Sequence, residues 1–255
     1  MDQNHWLTET CAKAFWDQKE GRPYQKLVSD TIDWAAPKPG ERWLDLGCGS
    51  GQLASALWQQ AGSLQEVVCL DCAAINADPI SKLNHKHQAA GAIKFLEANF
   101  SDGLHSFPPG TFDGIVSGLS ISYAEHFDEK TGRYTDKAFS QLLSDVRRLL
   151  KPDGRFVFSI NVPNPQFWRV LWKSLGSGLR ISRPGRQLVT ALRMMRYGHW
   201  LRGEARRGRF HYLPIDQLTA KLQSAGFGSV DHCVSYVGQA FVVRARPAVS
   251  ARMSA

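Results

Sequence analysis

The string RWLDLGCGSG, Arg42–Gly51, constrains this chain more than any other stretch. A short apolar run breaks into glycines at alternate positions, Gly47, Gly49 and Gly51, and QLASALWQQAG then carries a helical pattern as far as Gly62. A strand that turns through glycines into a helix is a unit of an α/β sheet. The glycines let the backbone approach a ligand, and the helix N-terminus presents free N–H groups. The next apolar run, EVVCLD, ends in Asp71, where a carboxylate can accept both hydroxyls of a ribose. A nicotinamide fingerprint, G-x-G-x-x-G, would need glycine at position 52, and that residue is Gln52.

Other apolar runs repeat the unit. IKFLEANF, FDGIVSGLSI and RFVFSINV predict three more strands. Between them lie a helical stretch at Asp78–Ala90, a PPGT turn, and the amphipathic AFSQLLSDVRRLL, stopped by Pro-Asp-Gly. Residues 6–36 read as helical, interrupted at EGRP. Near the end, a helix is expected from about Leu213 to Gly226, and SVDHCVSYV and QAFVVRARP are spaced to pair as a hairpin. Strands that are nearly continuous apolar runs, alternating with helices, predict a parallel sheet covered on both faces. The expected fold is therefore α/β: a doubly wound, mostly parallel seven-stranded sheet of Rossmann-like type, with an antiparallel last strand and a helical cap insertion.

At 255 residues and 43% hydrophobic content the chain can bury a full core. The N-terminus lacks a basic stretch followed by an apolar run, and no segment approaches the roughly 18–20 apolar residues of a membrane span. A cytoplasmic protein is expected. Five cysteines, Cys11, Cys48, Cys69, Cys72 and Cys233, are odd in number and unevenly spaced, which excludes a disulfide framework. Cys69 and Cys72 form C-x-x-C inside an apolar run with no second pair to complete a zinc site, and His85–His87 reads as a solvated helix face. No metal is expected.

WLDLGCGSGQLA resembles motif I of the class I S-adenosylmethionine-dependent methyltransferases. FPPGTFDGIVSGLSI and LLSDVRRLLKPDGRFVFSI are similar to later segments of that family, so the resemblance runs from about Trp34 to Val162. Within the family the chain is most similar to the small-molecule group that includes quinone-biosynthesis methyltransferases. The resemblance implies S-adenosyl-L-methionine as cofactor, S-adenosyl-L-homocysteine as product, a small-molecule substrate and in-line methyl transfer. It places Gly47, Cys48, Gly49 and Gly51 along the methionine and ribose part of the cofactor. Asp45 would support the methionine end, Asp71 the ribose hydroxyls, and Cys72 would lie beside the adenine. Asn99 falls where the family often has Asp, as a partner for the adenine amino group. Phe100 would offer its backbone N–H to the ring, Ser117 and Gly118 would line the cofactor near the methyl, and Tyr24 would close over it.

Past the fourth strand, at the edge where ligands bind in such sheets, SISYAEHF supplies Ser120, Tyr123, Glu125 and His126. Glu125 or His126 is a candidate base, with Tyr123 orienting the substrate. The alternative is that these residues only cap and pack the following loop. No N-P-P-Y-like string of a nucleic-acid base methylase follows that strand.

Five segments are expected: an N-terminal helical segment (1–36), a cofactor-binding core (37–163), a basic helical cap (164–212), a C-terminal helix and hairpin (213–247), and a disordered tail (248–255). The cap carries the charge. Asn164–Phe210 holds eleven Lys and Arg against one acid, Glu204, and the rest of the chain holds twenty basic against twenty-two acidic residues. On a helix through Arg186–Arg196, Leu188, Ala191, Leu192 and Met195 share one face, with Arg186 and Arg193 opposite. Three readings stay open: a lid whose arginines are solvated, peripheral contact of 183–209 with an anionic membrane such as the inner membrane face, or an anionic partner, RNA being less favoured than an acidic substrate. An RNA or protein methyltransferase, or an inactive methyltransferase fold with a binding role, is the alternative function. Oligomeric state is not legible.

Overall fold

The computed structural model describes residues 21–166, 168–169 and 198–248. The helical pattern before residue 21, the amphipathic stretch at Arg186–Arg196 and most of the tail lie outside the described residues.

Helix α1 (Arg22–Ala35) opens on Pro23, whose fixed φ suits a first helical turn, and buries Leu27, Ile32 and Ala35. Strand β1 (Arg42–Leu46) leads through the glycine loop into α2 (Gln52–Ala61). β2 (Glu66–Asp71), α3 (Ala77–His87), β3 (Ile93–Glu97) and β4 (Phe112–Gly118) follow. After β4 comes a short antiparallel ribbon, β5 (His126–Asp128) and β6 (Arg133–Thr135), in a stretch that reads only as loop in the sequence. Helix α4 (Lys137–Leu149) precedes β7 (Leu150–Asn161). Residues 198–206 are helical, and α5 (Ile215–Ser224), β8 (Phe227–Ser235) and β9 (Ala240–Pro247) complete the order. The expected start of α5 at Leu213 shifts to Ile215, because Pro214 stands outside the helix with extended ψ.

The seven strands form one sheet in the order β3-β2-β1-β4-β7-β9-β8. β1 pairs in parallel with both β2 and β4, while β9 runs antiparallel to both β7 and β8. The chain winds one way from β1 to β3 and the other way from β4, so the edge beyond β1 and β4 is the switch point where ligands enter such sheets. Alternation splits the core. Leu44, Leu46, Ile115, Phe156 and Phe158 pack with Phe139 and Leu142 of α4 and Leu218 of α5. Trp43, Val67, Cys69, Val116 and Val157 pack under α1, α2 and α3. Each fully buried Phe among them contributes about 1.5–3 kcal/mol.

Arg155 of β7 fixes α1 over this sheet. Its guanidinium lies 4.7 Å from the Trp43 ring, donates to the Ala35 carbonyl, to Ala36 O at 2.8 Å, and to Glu41 Oε2 at 2.7 Å. The last carbonyls of α1 thus gain a cationic cap, and the start of the helix, with Tyr24, is held over the carboxyl edge.

Candidate active site

The glycine loop follows the C-terminal end of β1. The Gly47 and Cys48 N–H groups donate to Leu70 O at 2.8 and 3.1 Å, tying the loop to β2. Asp71, at the end of β2, accepts from Gly49 N and Ala73 N, each at 2.9 Å. Gly47 has φ +67°, and a Cβ there would overlap the Ser120 side chain. Gly49 has φ +49°, and a Cβ there would meet nothing within 4 Å, so this part of the loop borders open space. Asp45 lies beneath, 1% exposed. Its Oδ2 accepts from Ala54 N at 3.2 Å, and its Oδ1 has no partner among the described residues. Burial lifts this carboxyl to about 7, the Ala54 bond opposing and the Asp71 charge adding to the rise.

The other expected cofactor residues take distinct positions. Ser117 and Ser120 hydroxyls both reach Leu46 O, at 2.8 and 2.7 Å, and stand 2.6 Å from each other. Ser120 thereby presses the loop after β4 onto Gly47. Gly118 lies beside Leu53 and the Tyr24 hydroxyl. Burial raises the Tyr24 phenol to about 12, keeping it protonated. The Cys48 side chain is buried in the core under α1 to α3, beside Cys69, so only its backbone belongs to the loop. Cys72 is half-buried, its thiol pushed to about 12 first by burial and then by Asp71. Asn99 Oδ1 accepts from Ser101 N at 3.0 Å and caps the turn Phe100–Asp102, which places Phe100 against Gly47.

The three catalytic candidates diverge. The Tyr123 hydroxyl is 3.1 Å from that of Tyr212, and its ring meets Phe210 edge-on at 4.9 Å. Glu125 is bound through its carboxylate to Arg209. His126 sits on the ribbon with Nδ1 2.9 Å from Thr135 Oγ1. Tyr123 and Glu125 therefore meet the tail of the basic segment, while His126 turns toward β6. That tail, Arg209–Tyr212, is a strap across the loop after β4. His211 N donates to Ser122 O at 2.9 Å, His211 Nε2 is 2.9 Å from Ala124 O, and the ring stacks on Phe139 at 4.7 Å.

Sequence reasoning did not single out Arg209 and His211 as site neighbours, and left the segment's arginines to water, an anionic membrane or an anionic partner. Arg209 is instead 6% exposed between Glu125 and Glu204. The signal was Glu204, the one acid in that basic stretch. Among the described residues no cluster of three or more His, Cys, Asp or Glu is arranged for a metal, and no helix is long and apolar enough to cross a membrane.

The family described as "Methyltransferase domain" matches residues 44–158, from β1 to the middle of β7. Residues 44–158, under half of the chain, are thus similar to a methyltransferase domain. A nocamycin O-methyltransferase of Saccharothrix syringae is 28% identical to this chain over 145 residues, 56% of this chain and 45% of the relative. A 2-phytyl-1,4-naphtoquinone methyltransferase of Trichormus variabilis is 30% identical over 139 residues, 54% of this chain and 55% of the relative. The chain thus spans about half the length of the curated relatives it matches. An O-methyltransferase family protein of Burkholderia thailandensis superposes with a TM-score of 0.61 at 17% identity, over 96% of this chain and 62% of that one. A SAM-dependent methyltransferase of Aquifex aeolicus gives 0.56 at 14%, over 92% and 96%. At such identities these structures establish the fold.

The residues present fit the cofactor that this likeness implies. The unpartnered Asp45 Oδ1 is suited to the cationic methionine end, Gly49 borders space that a side chain would fill, and Asp71 ends β2 with a carboxylate already turned toward the loop.

Proposed function

We propose that the protein transfers a methyl group from S-adenosylmethionine to a small, lipophilic or anionic molecule. The observation that most supports this is the buried Asp45 Oδ1, unpartnered beneath a loop whose Gly49 borders open space. A bound cofactor supplies a methyl on a positively charged sulfur, so the protein's task is alignment and exclusion of water. Gly47–Gly51 and Asp71 would hold the cofactor, with Asp45 beneath its methionine end. The strap Arg209–Tyr212 roofs the acceptor side against water. Burial pushes the Tyr123 phenol well above its ordinary value, so Tyr123 stays protonated and orients the acceptor. Glu125 is committed to Arg209. Of the three candidates, His126 keeps Nε2 without a hydrogen bond among the described residues, and it would act as base only by turning from β6 toward the acceptor.

The relatives named for nocamycin and for 2-phytyl-1,4-naphtoquinone support a small and largely apolar acceptor for this chain too. Calorimetry tests the cofactor half. Wild type is expected to bind S-adenosylmethionine, and Asp71→Ala to bind it about tenfold more weakly, one carboxylate having lost its hydrogen bonds. Absence of binding by the wild type defeats the proposal.

A second reading concerns peripheral contact with an anionic membrane through 183–209. Trp168, 52% exposed with the Arg169 guanidinium 5.6 Å from its ring, stands at the entrance to that segment and suits an interface. Co-sedimentation with anionic but not neutral liposomes is expected, weakened in Arg193→Glu with Arg196→Glu. Equal behaviour with both liposomes removes this reading.

A further inference from the structure

Asn161, the last residue of β7, carries a buried acceptor that the fold does not use. It is 2% exposed, and its carboxamide Oδ1 has no hydrogen-bond partner among the described residues. An oxygen buried in that way costs about 1–3 kcal/mol. The backbone around it is fully engaged. Asn161 pairs with Ala240 of β9, and Val162 N donates to Gln239 O at 3.1 Å. The unmet requirement belongs to the side chain alone.

Register places this side chain at the acceptor end of the site. Ser159 is level with Gly118 of β4. Asn161 lies two residues further, about 6–7 Å nearer the carboxyl edge. By alternation it shares the sheet face of Val157 and Ser159, the face that carries α1 and Tyr24. Its carboxamide is in hydrogen-bond contact with the Tyr123 hydroxyl, and Tyr236 is close enough to both Tyr123 and Tyr24 for their charges to couple. The backbone around this cluster is strained. Leu119, Tyr236 and Val237 all hold positive φ, at +56°, +52° and +59°, although none is glycine. Such residues gather where a binding geometry has to be held.

We propose that Asn161 binds the methyl acceptor directly, its Oδ1 accepting from an O–H or N–H of a neutral molecule whose flat apolar body lies against Tyr123, Phe210 and Tyr212. The proposal rests on the methyltransferase reading above. A carboxamide oxygen attracts a protonated donor and repels an anion, so the site takes the acceptor before it loses its proton. The surroundings agree. Tyr24, Tyr123 and Tyr236 are all kept protonated by burial, and Glu125 and Arg209 neutralise each other.

The test uses two probes that differ in the donor alone, 1-naphthol and 1-methoxynaphthalene, bound to protein saturated with S-adenosylhomocysteine. Wild type is expected to hold 1-naphthol about tenfold more tightly than the ether. Asn161→Leu, close in volume but without the oxygen, loses the preference, and Asn161→Asp, which keeps an acceptor oxygen, retains it. Asn161→Ser, too short to reach, serves as a second loss variant. S-adenosylhomocysteine affinity, measured first on each protein, reports an intact fold and cofactor site. Equal affinity for the two probes in wild type, binding of neither, or a preference that persists in Asn161→Leu and Asn161→Ser overturns the role of Asn161. Failure of wild type to bind S-adenosylhomocysteine instead overturns the methyltransferase reading.

Discussion

Glu204 Oε2 and Arg209 Nη1 stand 3.2 Å apart, and each side chain is only 7% exposed. Arg209 also holds Glu125 of the loop after β4, and the exposed Arg207 covers Glu204 Oε1 at 2.8 Å. Arg209→Ala would leave the buried Glu204 and the half-buried Glu125 without their shared cation, a loss worth about 3 kcal/mol. Chemical denaturation should show that loss, and hydrogen exchange should show residues 198–212 opening before the sheet. Unchanged stability would mean that the pair does not secure the strap.

Asp45 makes the cofactor-free protein sensitive to rising pH. Its folded value of about 7 lies above the ordinary carboxylate range. Its contribution to stability is therefore full below about pH 4 and is lost as pH climbs through 7. Asp45→Asn should melt higher than wild type at pH 8 and equal to it near pH 4. The same variant should bind S-adenosylmethionine less well, and the ratio of wild-type to variant affinity should grow from pH 6 to pH 8 as the carboxylate ionises. A ratio flat with pH would show that Asp45 takes no part in holding the cofactor.

Gly47 and Gly49 should respond differently to alanine. At Gly47 the new methyl overlaps Ser120, so Gly47→Ala is expected to lower the melting temperature and disrupt the loop. At Gly49 nothing is struck, and only the left-handed backbone costs about 1–2 kcal/mol. Gly49→Ala should therefore fold and lose cofactor affinity, because its methyl occupies the space beside the loop. Retained affinity in a folded Gly49→Ala protein would place the cofactor elsewhere.

His211 reports on the strap from the acid side. Burial lowers its imidazole below the ordinary value, against a smaller upward pull from the Ala124 carbonyl and Asp136. Its contribution to stability is full above about pH 6.5 and is lost as pH falls through the depressed folded value. Hydrogen exchange of residues 198–212 should accelerate below pH 6.5 in wild type. In His211→Phe, which keeps an aromatic ring against Phe139, that acceleration should disappear. If it persists, another group controls the opening.

The sheet was legible because its strands are long apolar runs set off by glycine and turn residues, as in LDLGCGSG and RFVFSINV. The antiparallel β9 was legible as one arm of a hairpin. The ribbon was not, since HFD and RYT are too short to show alternation, and their pairing depends on the Asp128 turn, with Lys130 N and Thr131 Oγ1 donating at 3.0 and 2.9 Å. The glycine loop and its two acids follow local order along the chain, so the resemblance could be carried onto them residue by residue. The surroundings of the strap do not. Arg209 and His211 are buried by partners more than eighty residues earlier, Glu125 and Ala124, and a charged string carries no trace of so distant a neighbour. Asn161 reads as the end of a strand, and only the contacts of its side chain distinguish it.

The position of β9 between β7 and β8 orders events during synthesis. β1 to β4 can pair as soon as the chain has passed Gly118, which assembles the glycine loop and both of its acids. β8 finds its neighbour only when β9, ending at Pro247, has entered the gap beside β7. The last two strands of the sheet thus arrive together. A growing chain therefore carries an assembled glycine loop well before its sheet is complete, and in that interval the edge of β7 is open to pairing with other strands.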